Sequence, residues 1–365
     1  MNRRDFATLS ALALAATKLP SIGQTSPDRK PVGYAAIGLG TISDIFMRAC
    51  ANSSKAKITA LVTGHPADKG KKYAGLYGIP PTSIYTYETF DRIRDNQDVE
   101  AVYVGLPNSM HLEYTQRAAL AGKHVLCEKP MAISSAECRT MIAACHAAKV
   151  KLMIAYRIQY EPLWNRAIQM ISSGAIGQLQ SFQGGFYNHQ DAGAWRLSRK
   201  LGGGGSVLDL GIYPLNAIRH ITREEPANFT AVVSTRDHSG RFAEVEQSIE
   251  WTMKFPSGIV ASCGCSYGQS GPAFLTVNGD QGYLDMRPGF FYDAPRLSGQ
   301  VSGQTGGKQI DIAGNGRNPY QFTIEAEHFA SCIRNDREPL SPGEEGLKDL
   351  LAIESIYRAA GTPIA

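Results

Sequence analysis

The stretch VGYAAIGLGTIS, residues 32–43, decides how the first half of the chain folds. Its first six residues form a short apolar run that is typical of a buried β-strand, and a helical pattern follows it through Ala49. Gly38 permits a tight turn between the two elements, and Gly40 lets a ligand approach the backbone where the helix begins. The third position of this spacing is Ser43, where glycine or alanine is usual. We predict a strand, a turn and a helix whose N-terminus receives a phosphate group.

The alternation of strands and helices continues from this unit to about residue 156. We predict further strands at residues 56–62, 101–104, 124–127 and 152–155, with helical patterns between them. This spacing indicates βαβ units and hence a parallel sheet. A glycine-rich turn between strand and helix in that context is the fingerprint of a dinucleotide-binding Rossmann domain, which we assign to residues 31–156.

The pattern changes after residue 157. Alternating strands at 247–255 and 259–267 follow each other without a helix between them, which favours a largely antiparallel sheet. Helical patterns cover residues 325–333 and 346–359. We therefore expect residues 157–365 to form an α+β substrate and oligomerisation domain with a large, mostly antiparallel sheet, whose last helix packs back on the Rossmann domain. The open face of such a sheet predicts a homodimer or homotetramer.

Residues 1–30 carry an export signal of the twin-arginine type. Arg3 and Arg4 immediately precede the apolar stretch 7–16, which is too short to span a bilayer as a helix. The alternative is a chance amphipathic N-terminus. Residues 18–30 are expected to be a flexible leader. We therefore expect a periplasmic protein that the twin-arginine machinery exports already folded, without a stable membrane anchor.

Charge and cysteine content exclude two classes of partner. The net charge is only +4 and no Lys/Arg-rich block is present, so we expect no nucleic acid partner. The seven cysteines form no C-x-x-C pair and are expected to be buried or free thiols. Cys263 and Cys265 share one face of a strand but lack two further ligands, so no metal site is expected.

The end of the second predicted strand indicates which dinucleotide is bound. NAD-binding domains usually place a carboxylate there to accept from the ribose hydroxyls. Here the residues are Thr63, Gly64 and His65, with Lys69 and two further lysines close behind. Small donors and nearby cations suit the 2′-phosphate of NADP, although the alternative for the lysines is a solvated helix face.

Two segments carry the chemistry. Lys129 follows a buried strand, so it lies at the carboxyl end of the sheet where the cofactor crevice is expected. The glycine run 202–205 leads into a segment in which Asp209 and Tyr213 stand four residues apart, on one face if the segment is helical. A lysine cation near a tyrosine favours the phenolate and tunes it for proton transfer at an alcohol or carbonyl. Taken alone, Tyr213 would more often be a packed helix residue, but its combination with Asp209, the glycine run and Lys129 favours a functional role.

These segments resemble the Gfo/Idh/MocA oxidoreductase family, and most closely its glucose–fructose and aldose–aldose oxidoreductase branch. The resemblance covers nearly the whole chain after the leader, with further matching motifs at 106–111, 121–124, 152–157, 195–197, 245–246 and 341–346. Many members of the family have histidine at the position of Tyr213. Tyrosine at this position fits the aldose-oxidising branch. The resemblance implies that Tyr213 is the general acid/base at the sugar C1 oxygen. It implies that Lys129 lowers the pKa of Tyr213 and binds substrate oxygen, and that Asp209 orients the sugar.

Fold and resemblance together predict the remaining site residues. Tyr156, Tyr160 and His189 are candidates for sugar contacts, with core or rim packing as the alternative. The expected cofactor contacts are Gly38, Gly40, Thr41, Ile42, Thr63, Gly64, His65, Lys69, Tyr85, Leu106, Pro107, Asn108, His111, Glu128, Lys129, Arg157, Trp195 and Arg196.

Export restricts how such an enzyme can use its cofactor. Free NADP(H) would be scarce outside the cytoplasm, so we hypothesise a tightly bound NADP(H) that one sugar reduces and a second sugar reoxidises. An aldose would become a lactone and the second sugar an alditol. The alternatives are a conventional NADP-dependent aldose dehydrogenase that releases NADPH, a non-catalytic NADP-binding sensor, and glycoside hydrolysis by a nicotinamide mechanism. The leader lacks the long proline-rich arm of glucose–fructose oxidoreductase, which leaves cofactor retention open.

Overall fold

The computed structural model describes residues 30–303, 307–314 and 320–364. The predicted export signal and nearly all of the leader lie outside these residues. The strands are β1 Val32–Ile37, β2 Ala56–Val62, β3 Ile84–Tyr85, β4 Ala101–Val104, β5 His124–Glu128, β6 Leu152–Ala155, β7 Leu179–Tyr187, β8 Asn228–Ser234, β9 Ser248–Lys254, β10 Val260–Ser266, β11 Ala273–Gly279, β12 Tyr283–Met286, β13 Arg296–Val301 and β14 Lys308–Ala313. The α-helices are α1 Thr41–Ala51, α2 Lys71–Tyr77, α3 His111–Leu120, α4 Ser135–Ala148, α5 Pro162–Ser172, α6 Arg199–Gly202, α7 Ile212–Thr222, α8 Tyr320–Asn335 and α9 Gly343–Ala359.

The first sheet is the predicted parallel sheet. Its six strands run in the order β3-β2-β1-β4-β5-β6, and every neighbouring pair is parallel. All residues of β1, β4 and β6 are buried, as expected where helices cover both faces of a sheet. The strand order reverses between β1 and β4, which opens a crevice at the carboxyl ends of these strands. The Rossmann prediction is confirmed, and the two-residue strand β3 is the one strand that it missed.

The second sheet is large and mostly antiparallel, as predicted. Its eight strands run in the order β14-β13-β12-β11-β7-β10-β9-β8. The pair β7–β10 is parallel, and the other neighbours are antiparallel. Helix α7 packs on β7 and β10 and so places residues 207–213, the catalytic segment, against this sheet. The opposite face carries solvent-exposed side chains such as Val232 and Thr230.

The last two helices pack against the N-terminal domain, and α9 also contacts β8 of the second sheet. Helix α8 lies against α1 and buries Phe322 and Phe329 completely. Tyr34 in β1 donates its hydroxyl to the Ala326 carbonyl at 3.1 Å. Helix α9 packs on α4, and the Ser341 hydroxyl before it donates to the Ile154 carbonyl at 2.7 Å. Residues near the end of the chain therefore complete the cover of the N-terminal sheet.

The described residues contain neither a disulfide nor a helix suited to a membrane. All seven cysteines fall among them, and each is buried and forms no disulfide. None of the helices in the described ranges is both long and apolar enough to cross a membrane.

Candidate active site

A cavity of about 230 Å³ lies where the carboxyl ends of the first sheet meet the second sheet. Residues from both sheets line it. Strands β4, β5 and β6 of the first sheet and strand β7 of the second sheet all end beside the cavity. The lining residues are Ile42, Leu106, Asn108, Glu128, Lys129, Ala155, Arg157, Phe186, Asn188, Gln190, Trp195, Arg196, Asp209, Leu210, Tyr213, Phe290, Phe291 and Tyr292. The three predicted catalytic residues, Lys129, Asp209 and Tyr213, are therefore brought together on one wall.

Asp209 is held between two cations. The Lys129 ammonium donates to the Asp209 carboxylate at 3.0 Å and to its backbone carbonyl at 2.9 Å. Arg196 Nε forms an ion pair with the other carboxylate oxygen at 2.8 Å, and the Tyr267 hydroxyl donates a hydrogen bond to that same oxygen at 3.3 Å. Burial alone would raise the pKa of the Asp209 carboxyl, but the two cations outweigh it and hold that pKa well below its usual range. Asp209 is therefore a fixed negative charge at neutral pH.

Tyr213 is held by an arginine at its hydroxyl and by a lysine at its ring. Arg157 Nε donates to the Tyr213 hydroxyl at 3.1 Å. The Lys129 ammonium lies 4.7 Å from the centroid of the Tyr213 ring, over its face. The direct polar partner of the hydroxyl is thus Arg157, which the sequence had placed only at the cofactor. A phenol fixed at a cavity wall in this way can pass a proton to or from an oxygen in the cavity.

The catalytic segment is not a continuous α-helix. Residues Val207–Gly211 form a π-helical turn, and α7 follows it directly. Such turns often occur at functional sites. Although the turn departs from ideal α-helical spacing, Asp209 and Tyr213 still face the same cavity.

The glycine run before this segment allows it to approach the first domain closely. Gly203 has φ +81°, and a Cβ added there would lie 2.4 Å from the Ile133 Cβ. Asn108 donates to the Gly202 carbonyl at 2.9 Å and so joins the end of β4 to the run. On the other side, the Glu246 carboxylate accepts from the Ser206 amide at 2.6 Å. These contacts fix where the catalytic segment begins.

The residues at the crevice of the first sheet fit a dinucleotide phosphate. Gly40 is the residue before α1, and a Cβ added there would meet no atom within 4 Å. The space in front of this helix N-terminus is open, so its backbone amides can bind a pyrophosphate. At the end of β2, Gly64, His65 and Lys69 are exposed beside the buried Thr63, with no carboxylate among them. This set of residues suits NADP(H) better than NAD(H).

Six more of the predicted cofactor residues line the cavity beside Lys129 and Arg157. They are Ile42, Leu106, Asn108, Glu128, Trp195 and Arg196. Two others, Thr41 and Pro107, flank lining residues but do not line the cavity themselves. Tyr103 donates its hydroxyl to the Glu128 carboxylate at 2.5 Å, and burial raises the pKa of that carboxyl.

Two residues predicted to contact the cofactor are instead used inside the protein. His111 is fully buried, and its ring nitrogens lie 2.9 Å from the Pro130 carbonyl and 3.0 Å from the Leu106 carbonyl. It joins two loops that bear lining residues and does not face the cavity. Tyr85 is buried, and its hydroxyl accepts a hydrogen bond from Asn96. Their placement corrects the expectation for both residues.

The three predicted sugar-contact residues also lie outside the cavity. A 3₁₀ turn at Arg157–Tyr160 directs Arg157 to the cavity, while Tyr156 and Tyr160 are buried elsewhere. The Tyr160 hydroxyl lies 3.7 Å from the Met153 sulfur. His189 is exposed and lies 2.8 Å from Arg241 Nη1, whereas its two chain neighbours line the cavity. The core-packing alternative therefore describes both tyrosines, and His189 stands at the rim.

Sequence reasoning missed an aromatic wall. Phe186 at the end of β7 and three consecutive residues between β12 and β13, Phe290, Phe291 and Tyr292, line the cavity. Phe186 and Phe290 pack on the Tyr213 ring, with centroid distances of 5.4 Å and 5.7 Å. Aromatic faces of this kind suit the apolar faces of a sugar or a nicotinamide ring. Three aromatic residues in a row near a glycine and prolines were the available signal in the sequence.

Comparison with known proteins identifies the class. Residues 32–156 match the model of an oxidoreductase family with an NAD-binding Rossmann fold, and residues 164–285 match the C-terminal domain of the GFO/IDH/MocA family. The chain belongs to the Gfo/Idh/MocA family of oxidoreductases, and its first domain is the NAD-binding Rossmann domain of that family. The predicted family and the predicted oxidoreductase class are thereby confirmed.

Particular relatives are similar over nearly their whole length. The D-xylose 1-dehydrogenase [NADP(+)] of Haloarcula marismortui is 31% identical over 93% of each chain. The 1,5-anhydro-D-fructose reductase of Ensifer adhaerens is 27% identical over 90% of this chain and 96% of its own. The crystal structure of the aldose–aldose oxidoreductase from Caulobacter crescentus, complexed with glycerol, is 43% identical with a TM-score of 0.86. It covers 91% of this chain and 98% of its own.

The open space at Gly40 leads to a prediction about cofactor binding. Gly40→Ala is expected to weaken NADP(H) binding by about tenfold or more, equal to about 1.4 kcal/mol, because the added methyl group enters the space of the pyrophosphate. The apoprotein should keep its stability, since the backbone at Gly40 has a negative φ of −91°. Fluorescence titration with NADPH measures the affinity. Gly75→Ala is the matched control, because a Cβ in α2 also meets no atom within 4 Å. Equal affinities in the two variants would contradict the assigned phosphate site.

Proposed function

We propose that this enzyme oxidises an aldose at C1 to a lactone and reduces a second sugar to an alditol with one tightly bound NADP(H). The observation that carries the proposal is the joint placement of Tyr213, Lys129, Asp209 and Arg157 on one cavity wall at the dinucleotide crevice. When bound there, the nicotinamide supplies the hydride chemistry for both sugars.

The side chains provide binding and proton transfer. Tyr213 takes the proton of the C1 hydroxyl during oxidation and returns it to the carbonyl oxygen during reduction, as reversibility requires. Arg157 holds the phenol oxygen in place at 3.1 Å. Asp209 stays ionised and accepts hydrogen bonds from sugar hydroxyls, while Lys129 donates to a substrate oxygen. One set of residues thus serves both half-reactions.

Related proteins support this two-sugar reaction, and one of them supports the alternative of a conventional aldose dehydrogenase. The 43% identical structure is that of an aldose–aldose oxidoreductase, which supports the two-sugar cycle. The 31% identical relative is a D-xylose 1-dehydrogenase, which supports a conventional NADP-dependent aldose dehydrogenase that releases NADPH. The combination of Lys129, Asp209 and Tyr213 in one cavity argues against a non-catalytic NADP sensor.

We also propose that the enzyme acts in the periplasm. The support is the pair Arg3 and Arg4 before an apolar stretch, since this signal is typical of proteins exported in the folded state. A cofactor that stays bound suits a compartment in which free NADP(H) is scarce. The homodimer or homotetramer stays a prediction, supported by the exposed face of the second sheet around Val232.

One experiment tests the location and the cycle together. The full chain is expressed, the cell is fractionated, and protein from the periplasmic fraction is denatured to release NADP(H), which absorbance and mass identify. Native protein is then mixed with an aldose and no added cofactor. We expect bound NADP(H) and equal amounts of lactone and alditol. Protein that is empty, and that forms NADPH only when NADP is supplied, would favour the conventional dehydrogenase.

A further inference from the structure

Tyr292 is a second phenol at the catalytic cavity. It lies between β12 and β13 and lines the cavity together with Tyr213 and Lys129. The guanidinium carbon of Arg157 lies 4.5 Å from the centroid of the Tyr292 ring and 4.8 Å from that of the Tyr213 ring. One buried arginine therefore contacts both phenol rings.

The backbone that carries Tyr292 is anchored by buried polar groups. Gln321 Nε2 donates to the Tyr292 carbonyl at 3.0 Å, and Gln321 Oε1 accepts from Arg157 Nη1 at 3.0 Å. Arg157 Nη2 donates to the Phe290 carbonyl. Arg157 and Gln321 are 4% and 5% exposed, so these bonds are shielded from water. A loop fixed this firmly holds its side chain in a defined position, which is what a binding site requires.

The protein covers the Tyr292 side chain only in part. Tyr292 is 38% exposed, although its ring packs on Phe322 with a centroid distance of 5.8 Å. The exposed part of the side chain lines the cavity, so a ligand bound there can contact it, as is usual for aromatic residues in ligand pockets. Packing within the protein alone gives no reason for a hydroxyl at this position, since no protein hydrogen bond to the Tyr292 hydroxyl is found among the described residues.

The two phenols differ in their surroundings. Burial, followed by the neighbouring Tyr213, raises the pKa of Tyr292 to about 12, against the opposing effect of Arg157 and Lys129. Tyr292 therefore stays protonated at neutral pH and can both donate and accept a hydrogen bond. Tyr213, bonded to Arg157 Nε, remains the group that moves the proton.

We propose that Tyr292 is a substrate-binding residue whose hydroxyl bonds a sugar hydroxyl near the carbon that reacts at Tyr213, and that this contact selects among aldoses. The inference rests on the proposed sugar oxidation. It adds a specificity-determining contact, from the loop between β12 and β13, to the three residues that the sequence singled out.

A panel of monodeoxy aldoses tests this contact. For the wild type, kcat/KM is expected to fall by about 3- to 10-fold on the one deoxy sugar that lacks the contacted hydroxyl, the loss typical of one neutral hydrogen bond. Tyr292→Phe should lose a similar factor on the parent aldose and then show no further loss on that deoxy sugar. The measured quantity is the ratio of kcat/KM between parent and deoxy sugar, which a merely structural role would not change.

Control variants separate the possible outcomes. Tyr283→Phe removes a hydroxyl from an exposed tyrosine in β12 that does not line the cavity, and it should keep the wild-type ratios. NADPH affinity and the unfolding midpoint of each variant report on folding, and Tyr292→Leu provides a second substitution in which the same ratio must collapse. Wild-type ratios in Tyr292→Phe across the whole panel would overturn the contact while leaving the proposed function intact. A wild type that oxidises no aldose would overturn the proposed function itself.

Discussion

Replacing Tyr213 by phenylalanine is expected to lower kcat/KM for aldose oxidation by about 10²- to 10⁴-fold, the usual contribution of a positioned general acid/base. The substitution removes only the oxygen that accepts the hydrogen bond from Arg157 Nε. The ring can keep its packing on Phe186 and Phe290, so the cavity should retain its shape. Steady-state kinetics with a saturating aldose measures the loss, and NADPH titration should give the wild-type affinity.

Lys129 lies close to Tyr213 and is an alternative candidate for the proton transfer. Its ammonium also lies on the cavity wall, within the set of groups that could exchange a proton with the C1 oxygen. Asp209 raises the pKa of Lys129 above its usual value even though burial opposes this, so the ammonium holds its proton firmly at neutral pH. Near wild-type activity in Tyr213→Phe would contradict the general acid/base role of Tyr213 and assign it to another group on this wall.

Replacing Arg219 by methionine is expected to lower the free energy of unfolding by about 3–5 kcal/mol, the cost of breaking a buried ion pair from one side. Arg219 in α7 pairs with Asp349 in α9, and their side chains are 2% and 0% exposed. Asp349 also accepts from Asn216 at 2.9 Å, and Arg219 bonds Glu225 at 2.6 Å. Without the guanidinium, a carboxylate would remain in the core without its cation. Urea titration followed by circular dichroism measures the change.

An exposed pair provides the matched comparison. Arg296 and Asp311 join β13 and β14, and their side chains are 56% and 54% exposed. Arg296→Met should change the free energy of unfolding by only about 0–1 kcal/mol, since water screens such a pair. Equal losses from the two substitutions would show that burial does not govern the Arg219 contact. The catalytic rate of Arg219→Met reports whether the end of α7 affects Tyr213 at its beginning.

Local patterns in the sequence were sufficient for the first sheet. The strand at 56–62 has the predicted bounds, because a short, mostly apolar run between polar turns in a strand–helix alternation indicates a strand of a parallel sheet. Gly38 and Gly40 could also be identified from the local sequence. The tight turn and the close approach of a phosphate both require glycine at fixed positions between a strand and a helix. The helices α8 and α9 begin at Tyr320 and Gly343, a few residues before the predicted starts, as is common for helix ends.

The composition of the site depended on contacts between distant residues, which a local pattern does not encode. Arg157 reaches the Tyr213 hydroxyl across 56 positions in the chain and the Phe290 carbonyl across 133. The direction of Tyr156 and Tyr160 was set by the 3₁₀ turn after β6, which no residue type there specified in advance. Tyr292 carries no motif, and only the placement of its loop beside Arg157 brings it to the cavity.

The return of the chain's last helices to its first sheet has a consequence for synthesis on the ribosome. Phe322 and Phe329 of α8 are fully buried against elements that are translated about 280 residues earlier. Domains usually fold in order as they emerge, the N-terminal one first. Here the nucleotide-binding half is left with uncovered apolar surface until translation is nearly complete. The nucleotide-binding domain therefore cannot bury all of its apolar surface before the last part of the chain has been made.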